Sequence, residues 1–386
     1  MMACINSNKL LYVVTYDTNN PKVEIIESTA VLQQKWKSNK DFFYIQFSND
    51  LSFKIFDIAD LVPQNDFLQI KDPNSNVYLM LDNALEYFYS SADSIYENIV
   101  IKHNVPAEKI IFLSAVPTMH EHIKKLAAKY NLPEIKLDWF NLFETNGQNA
   151  IRLSPGFETL QKKQKYEKAF ICLNRRWRLH RPLMITLLKD KGLMDRGYIS
   201  FAPSDDNMDW KTAYSRLKMM YANHSLINPI LERNEDIIKM PPLYLDQTDL
   251  VTNRAEHEET INEYYLNTYF SLINETTYHE GVPFFSEKTF KAIGMGHPFV
   301  VATTPNSLQY LRKLGYRTFH PFIDESYDQI MDDGKRMVAI VNEAERLSKM
   351  DKQEFKNWRV NVKPIVEHNK RLLKSKRDNS TPVNYN

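Results

Sequence analysis

Three polar residues, Ser286, Glu287 and Lys288, stand at the start of a short predicted helix in the second half of the chain. An apolar run, the turn Gly294-Met295-Gly296 and a buried strand from Phe299 follow them, which is the pattern of a capped helix that stops at glycine. The free N–H groups at a helix N-terminus and the positive end of its dipole attract phosphate, and a lysine adds a cation. The pattern therefore indicates nucleotide chemistry, although the same residues also fit a plain serine cap with a favourable acid behind it.

Arginines stand where a second part of a phosphate site is expected. Arg175, Arg176 and Arg178 follow a predicted strand over residues 169–173, and ligands of doubly wound sheets bind beyond the carboxyl ends of the strands. The planar guanidinium donates two hydrogen bonds to phosphate and keeps its charge, so each arginine is a candidate phosphate ligand, with pairing to surface acids as the alternative. Glu275 also ends a predicted strand, where it could meet the sugar or base of a ligand or stand as a carboxylate on the rim.

An alternation of strands and helices must position these residues. In the first half the predicted strands cover residues 10–16, 42–47, 51–56, 77–81, 110–114 and 135–140, with helices over 84–101 and 119–130. In the second half the predicted strands cover residues 169–173, 198–201, 269–274 and 299–302, with helices over 179–191, 307–314 and 327–347, the first of them closed by Gly192. The alternation predicts an α/β fold of two tandem Rossmann-like doubly wound domains that face a cleft.

The length of the chain fits two domains. At 386 residues, with 43% hydrophobic residues, the chain exceeds what one core supports, since single cores rarely grow beyond ~250–300 residues. We expect an N-terminal Rossmann-like domain over residues 1–152, a Lys- and Gln-rich linker over 153–168, a ligand-binding Rossmann-like domain over 169–345, and a final helix with a basic tail over 346–386.

Composition excludes several classes of protein. Lys and Arg total 49 and Asp and Glu total 48, so the net charge of +1 gives no overall field that attracts nucleic acid or membrane. No segment reaches the roughly 20 apolar residues of a membrane span, and the N-terminus lacks the pattern of a signal peptide, which predicts a cytoplasmic protein. Cys4 and Cys172 fit neither a disulfide framework nor a zinc site. Asp205-Asp206 and Asp332-Asp333 have the pattern of solvated charges, so we expect no metal.

The segment around Glu287 resembles the donor-binding segment of known glycosyltransferases. Residues 285–301 read Phe-Ser-Glu-Lys-Thr-Phe-Lys-Ala-Ile-Gly-Met-Gly-His-Pro-Phe-Val-Val. They resemble inverting fucosyltransferases and exostosin-like glycosyltransferases, whose pattern is Thr/Ser-Glu-Lys, an apolar helix, a small-residue turn and Pro-Val-Val. Residues 172–182, with 193–201 behind them, also resemble a group of phage-encoded glycosyltransferases. Together the resemblances cover about half of the chain, its C-terminal half.

The resemblance implies a GT-B-type glycosyltransferase, a hexosyl- or pentosyltransferase, with the acceptor on the first domain and the donor on the second. It places Glu287 on the nucleotide ribose and Lys288 on the diphosphate, with Arg175 or Arg176 sharing the phosphate charge. The co-substrate would be a UDP- or GDP-linked sugar with no further cofactor, and a phage protein would act in the cytoplasm of the host cell. Because Asn174-Arg175-Arg176 departs from the fucosyltransferase form, the choice between the arginines and the identity of the sugar stay open.

An inverting transfer also needs a general base, which we expect from the first domain. Asp82 and Asp138 end predicted strands, and Glu86 lies one helical turn beyond Asp82. Helix capping is the alternative for Asp82, and pairing with the helix dipole is the alternative for Glu86. Lys288, an arginine and the helix N-terminus would stabilise the leaving diphosphate without a metal.

Several acceptors are compatible with the sequence. Basic clusters over residues 162–168 and 370–377 fit phosphate contacts to duplex DNA, although such clusters are usually solvated faces. The resemblance to phage proteins suggests 5-hydroxymethylcytosine in phage DNA. A glycan or a protein is the alternative acceptor, and a protein that binds nucleotides or nucleic acid without catalysis is the alternative of another class.

Overall fold

Two parallel sheets of four strands carry the fold of the described residues. The computed structural model describes residues 13–17, 20–24, 41–46, 57–62, 64–83, 90–139, 143–144, 166–174, 178–201, 210–241, 243, 245, 262–279 and 281–378. They divide into two compact units between Leu142 and Phe143, called here unit 1 and unit 2.

Unit 1 contains a hairpin and a parallel sheet. The hairpin pairs β1 (Val13–Asp17) with β2 (Asn20–Glu24) in antiparallel fashion. The sheet has the order β3-β4-β5-β6, formed by β3 (Asp41–Gln46), β4 (Val77–Asn83), β5 (Ile110–Ser114) and β6 (Lys136–Trp139). Its helices are α1 (Ile58–Leu61), α2 (Gln64–Lys71), α3 (Ser90–Ile95), which continues as a wider π-helical turn over Tyr96–Ile101, and α4 (Met119–Tyr130).

Unit 2 contains the second parallel sheet, whose order is β10-β9-β7-β8. These strands are β7 (Lys168–Asn174), β8 (Gly197–Phe201), β9 (Thr268–Asn274) and β10 (Phe299–Ala302). The helices around it are α5 (His180–Asp190), α6 (Trp210–Met220), α7 (Asn228–Arg233), α8 (Asn262–Leu266), α9 (Glu287–Gly294), α10 (Ser307–Lys313), α11 (Asp333–Ser348) and α12 (Lys352–Asp378).

The strands β7, β9 and β10 of this sheet are largely buried. Phe170 and Cys172 of β7, Phe270 of β9 and all of β10 are buried, which is the pattern of strands inside a parallel sheet. Burial raises the pKa of the Cys172 thiol to about 12, so this cysteine is an inert core residue, in agreement with the sequence.

Two glycines end the helices that flank the site described below. Gly192 follows α5 with φ +67° and Gly296 follows α9 with φ +66°, a conformation that residues with a Cβ rarely adopt. In each case the next N–H donates back into the last turn, from Leu193 to the carbonyl oxygen of Leu188 and from His297 to that of Ala292. The glycine stop that the sequence predicted after each helix is confirmed.

The parallel sheets confirm the predicted α/β class with two Rossmann-like domains. The predicted strand 299–302 matches β10 residue for residue. The predicted helix 327–347 is wrong at its start: a 3-10 turn covers Ser326–Gln329, and α11 begins only at Asp333, because the side chain of Asp332 caps it by accepting from Lys335 N. The predicted strand 51–56, the first residues of the predicted helix 84–101 and most of the linker 153–168 lie outside the described residues.

The long helix α12 belongs to unit 2 and contacts α9. Lys376 pairs with Glu144 at 2.7 Å and donates to the carbonyl oxygen of Leu314 at 3.1 Å, and Tyr316 donates to the same carboxylate. Lys376 is therefore an internal anchor of the helix, which corrects its assignment to a basic surface tail.

Asp328 caps α10 from a distance in sequence. Asn306, the residue before α10, makes no side-chain cap, and both carboxylate oxygens of Asp328 lie 3.2 Å from Leu308 N instead. Burial raises the pKa of Asp328 to about 6. A carboxyl group whose folded-state pKa is raised stabilises the fold at low pH and loses that contribution as the pH rises through about 6.

We expect the substitution Asp328→Asn to flatten the pH dependence of stability between pH 4 and pH 7. The wild type should lose on the order of 1–3 kcal/mol relative to this variant over that interval, because the amide cannot ionise. Urea unfolding at several pH values measures the difference. Asp195→Asn, at an exposed position, is the control and should follow the wild type; equal pH profiles for wild type and Asp328→Asn would contradict the assignment.

Candidate functional site

The strand order of unit 2 changes direction between β7 and β9. From β7 the chain adds β8 on one side, and β9 and β10 then lie on the other, so the carboxyl ends of β7 and β9 flank the topological switch point. The last residues of these strands are bonded there: Asn274 Nδ2 donates to Asn174 Oδ1 over 2.7 Å, and Asn174 Nδ2 donates to the carbonyl oxygen of Ser200 on β8 over 3.2 Å. Both asparagines are buried, so three strands fix this edge of the sheet.

Glu275, directly after β9, is a fully buried carboxylate. It is 0% exposed and accepts hydrogen bonds from Ser286 N at 3.2 Å, Ser286 Oγ at 2.5 Å and Thr289 Oγ1 at 2.5 Å. A buried charge needs such partners, because leaving it unpaired costs several kcal/mol. The interpretation of Glu275 as a rim carboxylate is therefore wrong. The side chain of Glu275 instead connects the end of β9 to the start of α9 by hydrogen bonds.

Ser286 is the N-cap of α9. Its hydroxyl oxygen accepts a hydrogen bond from Lys288 N at 3.4 Å, and its O–H donates a hydrogen bond to the carboxylate of Glu275. The residue is 1% exposed. The serine cap read from the sequence is confirmed. Because both functions of the hydroxyl are used inside the protein, Ser286 positions the helix start.

Glu287 and Lys288 form an ion pair in the first turn of α9. Lys288 Nζ lies 2.8 Å from Glu287 Oε1 and 3.1 Å from Ser286 Oγ, and the side chains of Lys288 and Glu287 are 24% and 12% exposed. The two charges predicted to meet a nucleotide are thus adjacent and partly accessible. The positive end of the helix dipole lies in the same turn.

Two arginines at the start of α5 bring further positive charge to this edge. Arg181 is 3% exposed, and burial lowers the pKa of its guanidinium to about 10, with Arg178 acting in the same direction and Glu287 and Glu275 opposing it. The guanidinium stays charged at neutral pH. Arg178, which the sequence predicted as a phosphate ligand, is half-buried beside it, whereas Arg175 and Arg176 lie outside the described residues.

The sequence reasoning missed Arg181 and His180. The signal for Arg181 was its position three residues after Arg178, in the first turn of the helix that follows the predicted strand. His180 is 2% exposed, lies with Nε2 2.9 Å from the carbonyl oxygen of Glu275, and stacks on Tyr278 with 5.0 Å between ring centroids. Burial and the neighbouring Arg181 lower the pKa of His180 well below its usual value, so the ring is neutral and donates to that carbonyl.

The predicted base candidates belong to unit 1. Asp82 is 3% exposed within β4, where the ladder pairs it with Gln46 and Leu113, and its neighbour Asn83 contacts α3 by accepting from Ser91 Oγ at 2.9 Å. Asp138 is half-buried in β6. Glu86 lies outside the described residues.

Within the described ranges, no group of three or more His, Cys, Asp or Glu side chains is placed to hold a metal ion. No helix of the described part of the chain has the length and apolarity needed to cross a membrane. Asp332 and Asp333, predicted as solvated charges, are instead bonded to His224 and His279 respectively, and Asp333 also pairs with the buried Arg336.

Comparison with known proteins finds similarity at the level of structure and not of sequence. No protein-family model matches the sequence, and no curated protein matches it. Among the solved structures that match, one described as "Trehalose-6-phosphate from E. coli bound with UDP-2-fluoro glucose" aligns over 96% of this chain and 99% of its own, with a TM-score of 0.39 and 11% identity. At that level of likeness the function has to be argued from the residues of this chain.

We expect Glu275→Ala to destabilise unit 2 by about 3 kcal/mol, since three buried donors would lose their acceptor. Urea unfolding followed by circular dichroism measures the change. Glu263→Ala, at an exposed position in α8, should change the stability by less than about 0.5 kcal/mol. Equal stability of the two variants would show that Glu275 does not tie α9 to the sheet.

Proposed function

We propose that unit 2 binds the diphosphate of a nucleotide sugar and that the protein is a metal-independent inverting glycosyltransferase acting on a hydroxyl. The observation that carries the proposal is the start of α9. It lies beside the switch point of the sheet, the buried Glu275 holds it in place, and Glu287 and Lys288 occupy its first turn. A helix start fixed at a switch point is a suitable phosphate site.

The charges around this helix start favour an anionic ligand. The described charges that act on Arg181 and Lys288 include one further cation, Arg178, and two carboxylates, Glu275 and Glu287, so these five groups carry an excess of positive charge before the helix dipole is considered. As the bond from the sugar to the diphosphate breaks, negative charge grows on the leaving oxygen. Fixed cations in a largely buried setting stabilise that charge without reorganising.

We expect binding of the nucleotide sugar to separate the ion pair between Glu287 and Lys288. Lys288 would turn from Glu287 to the diphosphate, and Glu287, freed from the lysine, would accept hydrogen bonds from the two ribose hydroxyls. In the unliganded protein the pair holds both side chains near their binding positions. Each charge therefore has a partner in both states.

We expect Lys288→Met to weaken binding of UDP- and GDP-linked sugars about 10- to 100-fold, because a charge-assisted hydrogen bond to phosphate is lost. Binding of uridine or guanosine, which lack phosphate, should stay within about twofold of wild type. Isothermal titration with both sets of ligands measures the two effects.

Lys313→Met, at an exposed lysine of α10, is the matched control and should bind all ligands as the wild type does. Failure of the wild type to bind any UDP- or GDP-linked compound at millimolar concentration would overturn the donor site. Nucleotide binding with no release of UDP or GDP from any sugar would instead favour a non-catalytic nucleotide-binding protein.

For the acceptor, we propose 5-hydroxymethylcytosine in duplex DNA, with a glycan or protein hydroxyl as the alternative. The described feature that supports DNA is a row of exposed lysines on α12: Lys352, Lys356, Lys363 and Lys374. Their spacings of four, seven and eleven residues place them on one face of the helix over roughly 33 Å, close to one turn of B-DNA. Glu367 pairs with Lys363 at 3.6 Å and reduces the charge of the row only in part.

We expect binding of a 20-base-pair duplex that falls steeply between about 50 and 200 mM salt, and a triple substitution of Lys352, Lys356 and Lys363 to Gln that weakens it about tenfold or more. Electrophoretic mobility shift at several salt concentrations measures both. The control changes Lys124 and Lys125, exposed on α4, to Gln. If the wild type binds no duplex at low salt, the acceptor is not DNA.

A further inference from the structure

His279 and Asp333 form a hydrogen-bonded pair near the carboxyl end of β9. His279 lies five residues beyond that strand, Asp333 is the first residue of α11, and 2.5 Å separates Nδ1 of the ring from Oδ2 of the carboxylate. A nitrogen facing a carboxylate carries the proton, so the other nitrogen, Nε2, has the lone pair when the ring is neutral. Among the described residues Nε2 is buried and has no hydrogen-bond partner.

Asp333 is held from its other side by a buried arginine. Arg336, 1% exposed, donates from Nη2 to Asp333 Oδ1 at 2.5 Å and to the carbonyl oxygen of Tyr278 at 2.6 Å, and its guanidinium lies 4.3 Å from the Tyr278 ring centroid. Burial alone would raise the pKa of Asp333, but the hydrogen bonds from His279 and Arg336 outweigh it and lower the pKa. The carboxylate therefore stays ionised and can stabilise a positive charge on the imidazole.

A neighbouring pair shows what a purely structural histidine looks like here. His224 Nε2 lies 2.9 Å from Asp332 Oδ1, at the N-cap of the same helix. Its Nδ1 lies 3.2 Å from Ile227 N and 3.3 Å from Leu226 N, so both ring nitrogens are occupied within the protein. Within the part of the chain that the structure describes, His279 differs from His224 because its Nε2 has no partner, and its side chain is 37% exposed.

The pair belongs to the edge that carries the donor-site residues. The rings of His279 and His180 are 6.2 Å apart between centroids and nearly perpendicular, and His180 is bonded to the backbone of Glu275, whose side chain holds the start of α9. Among the described residues, the charged and titratable groups around His279 are Asp333 and Arg336 from α11, and His180 from α5, which burial keeps neutral. Tyr278 lies beside it in sequence, with 5.6 Å between the ring centroids.

We infer that His279 is the general base of the reaction and that Asp333 is its positioning residue. This inference rests on the proposed glycosyl transfer. Nε2 takes the proton of the acceptor hydroxyl as the hydroxyl oxygen forms its bond to the anomeric carbon, and the bond from that carbon to the diphosphate breaks with its electron pair leaving on the diphosphate oxygen. The imidazolium then returns its proton to water, and with water as acceptor the same step is hydrolysis of the donor.

Donor hydrolysis gives a direct test with water as the acceptor. UDP-glucose and GDP-mannose are the probes, released UDP or GDP is the readout, and isothermal titration gives the affinity of each variant. His279→Gln should lower the hydrolysis rate about 10²- to 10⁴-fold while donor affinity stays within about twofold. The matched control, His224→Gln, removes the neighbouring Asp-bonded histidine and should leave both quantities within about twofold.

The pH profile distinguishes a base from a packing residue. The wild-type rate should rise with pH to a plateau as the imidazole loses its proton, and His279→Gln should lose this rise. Nitrogen NMR of the wild type should show the neutral ring of His279 protonated at Nδ1. An unchanged rate in His279→Gln, or a neutral ring protonated at Nε2, would overturn the inference.

Three outcomes separate this inference from the proposed function. If the wild type binds neither probe nor any other UDP- or GDP-linked sugar, the proposed function fails and the base fails with it. If a donor binds but the wild type releases no UDP or GDP, the base is overturned while the donor site stands. If His279→Gln hydrolyses the donor normally and Asp82→Asn does not, the base lies in unit 1.

Discussion

The structure of the site depends on one buried charge. Glu275 has no solvent around it, so its carboxylate must receive its hydrogen bonds from the protein, and Ser286 and Thr289 donate them. These donors sit at the start of α9, eleven and fourteen residues further along the chain. The need to satisfy one carboxylate thus determines where a helix begins relative to the end of β9, and a helix start at that point brings the positive end of the helix dipole to the switch point of the sheet.

The remaining charges follow from that arrangement. The carboxylates of Glu287 and Glu275 offset part of the cost of burying Arg181. The pKa of Arg181 is lowered to about 10, which leaves it a cation at neutral pH. His180 lies beside this cation and is kept neutral by burial, so its ring serves as a hydrogen-bond donor to the backbone. Burial and neighbouring charges therefore determine which of these groups are neutral and which are charged, and positive charge remains concentrated beside Lys288.

Local patterns predicted the elements well, because periodicity, caps and glycine stops act over a few residues. The strand of residues 299–302, the Ser286 cap and the glycine ends of α5 and α9 were all readable in this way. The start of α11 was misplaced because the Asp332 cap was read as a solvated charge. Glu275 was misread as a rim carboxylate because a polar residue after a strand looks the same whether it meets water or a buried hydrogen-bond donor.

By itself, the sequence determined the α/β class, the strand over residues 299–302 and the helix start at Ser286-Glu287-Lys288. These depend on residues close together in the chain. Only the tertiary structure decided which distant side chains interact. Arg181 lies within the electrostatic influence of Glu287 and Glu275, and His279 is hydrogen-bonded to Asp333 across 54 residues. The physical reason is that hydrogen bonding and burial depend on distance in space. When strand order or helix packing brings distant residues together, the sequence around each residue does not show the contact.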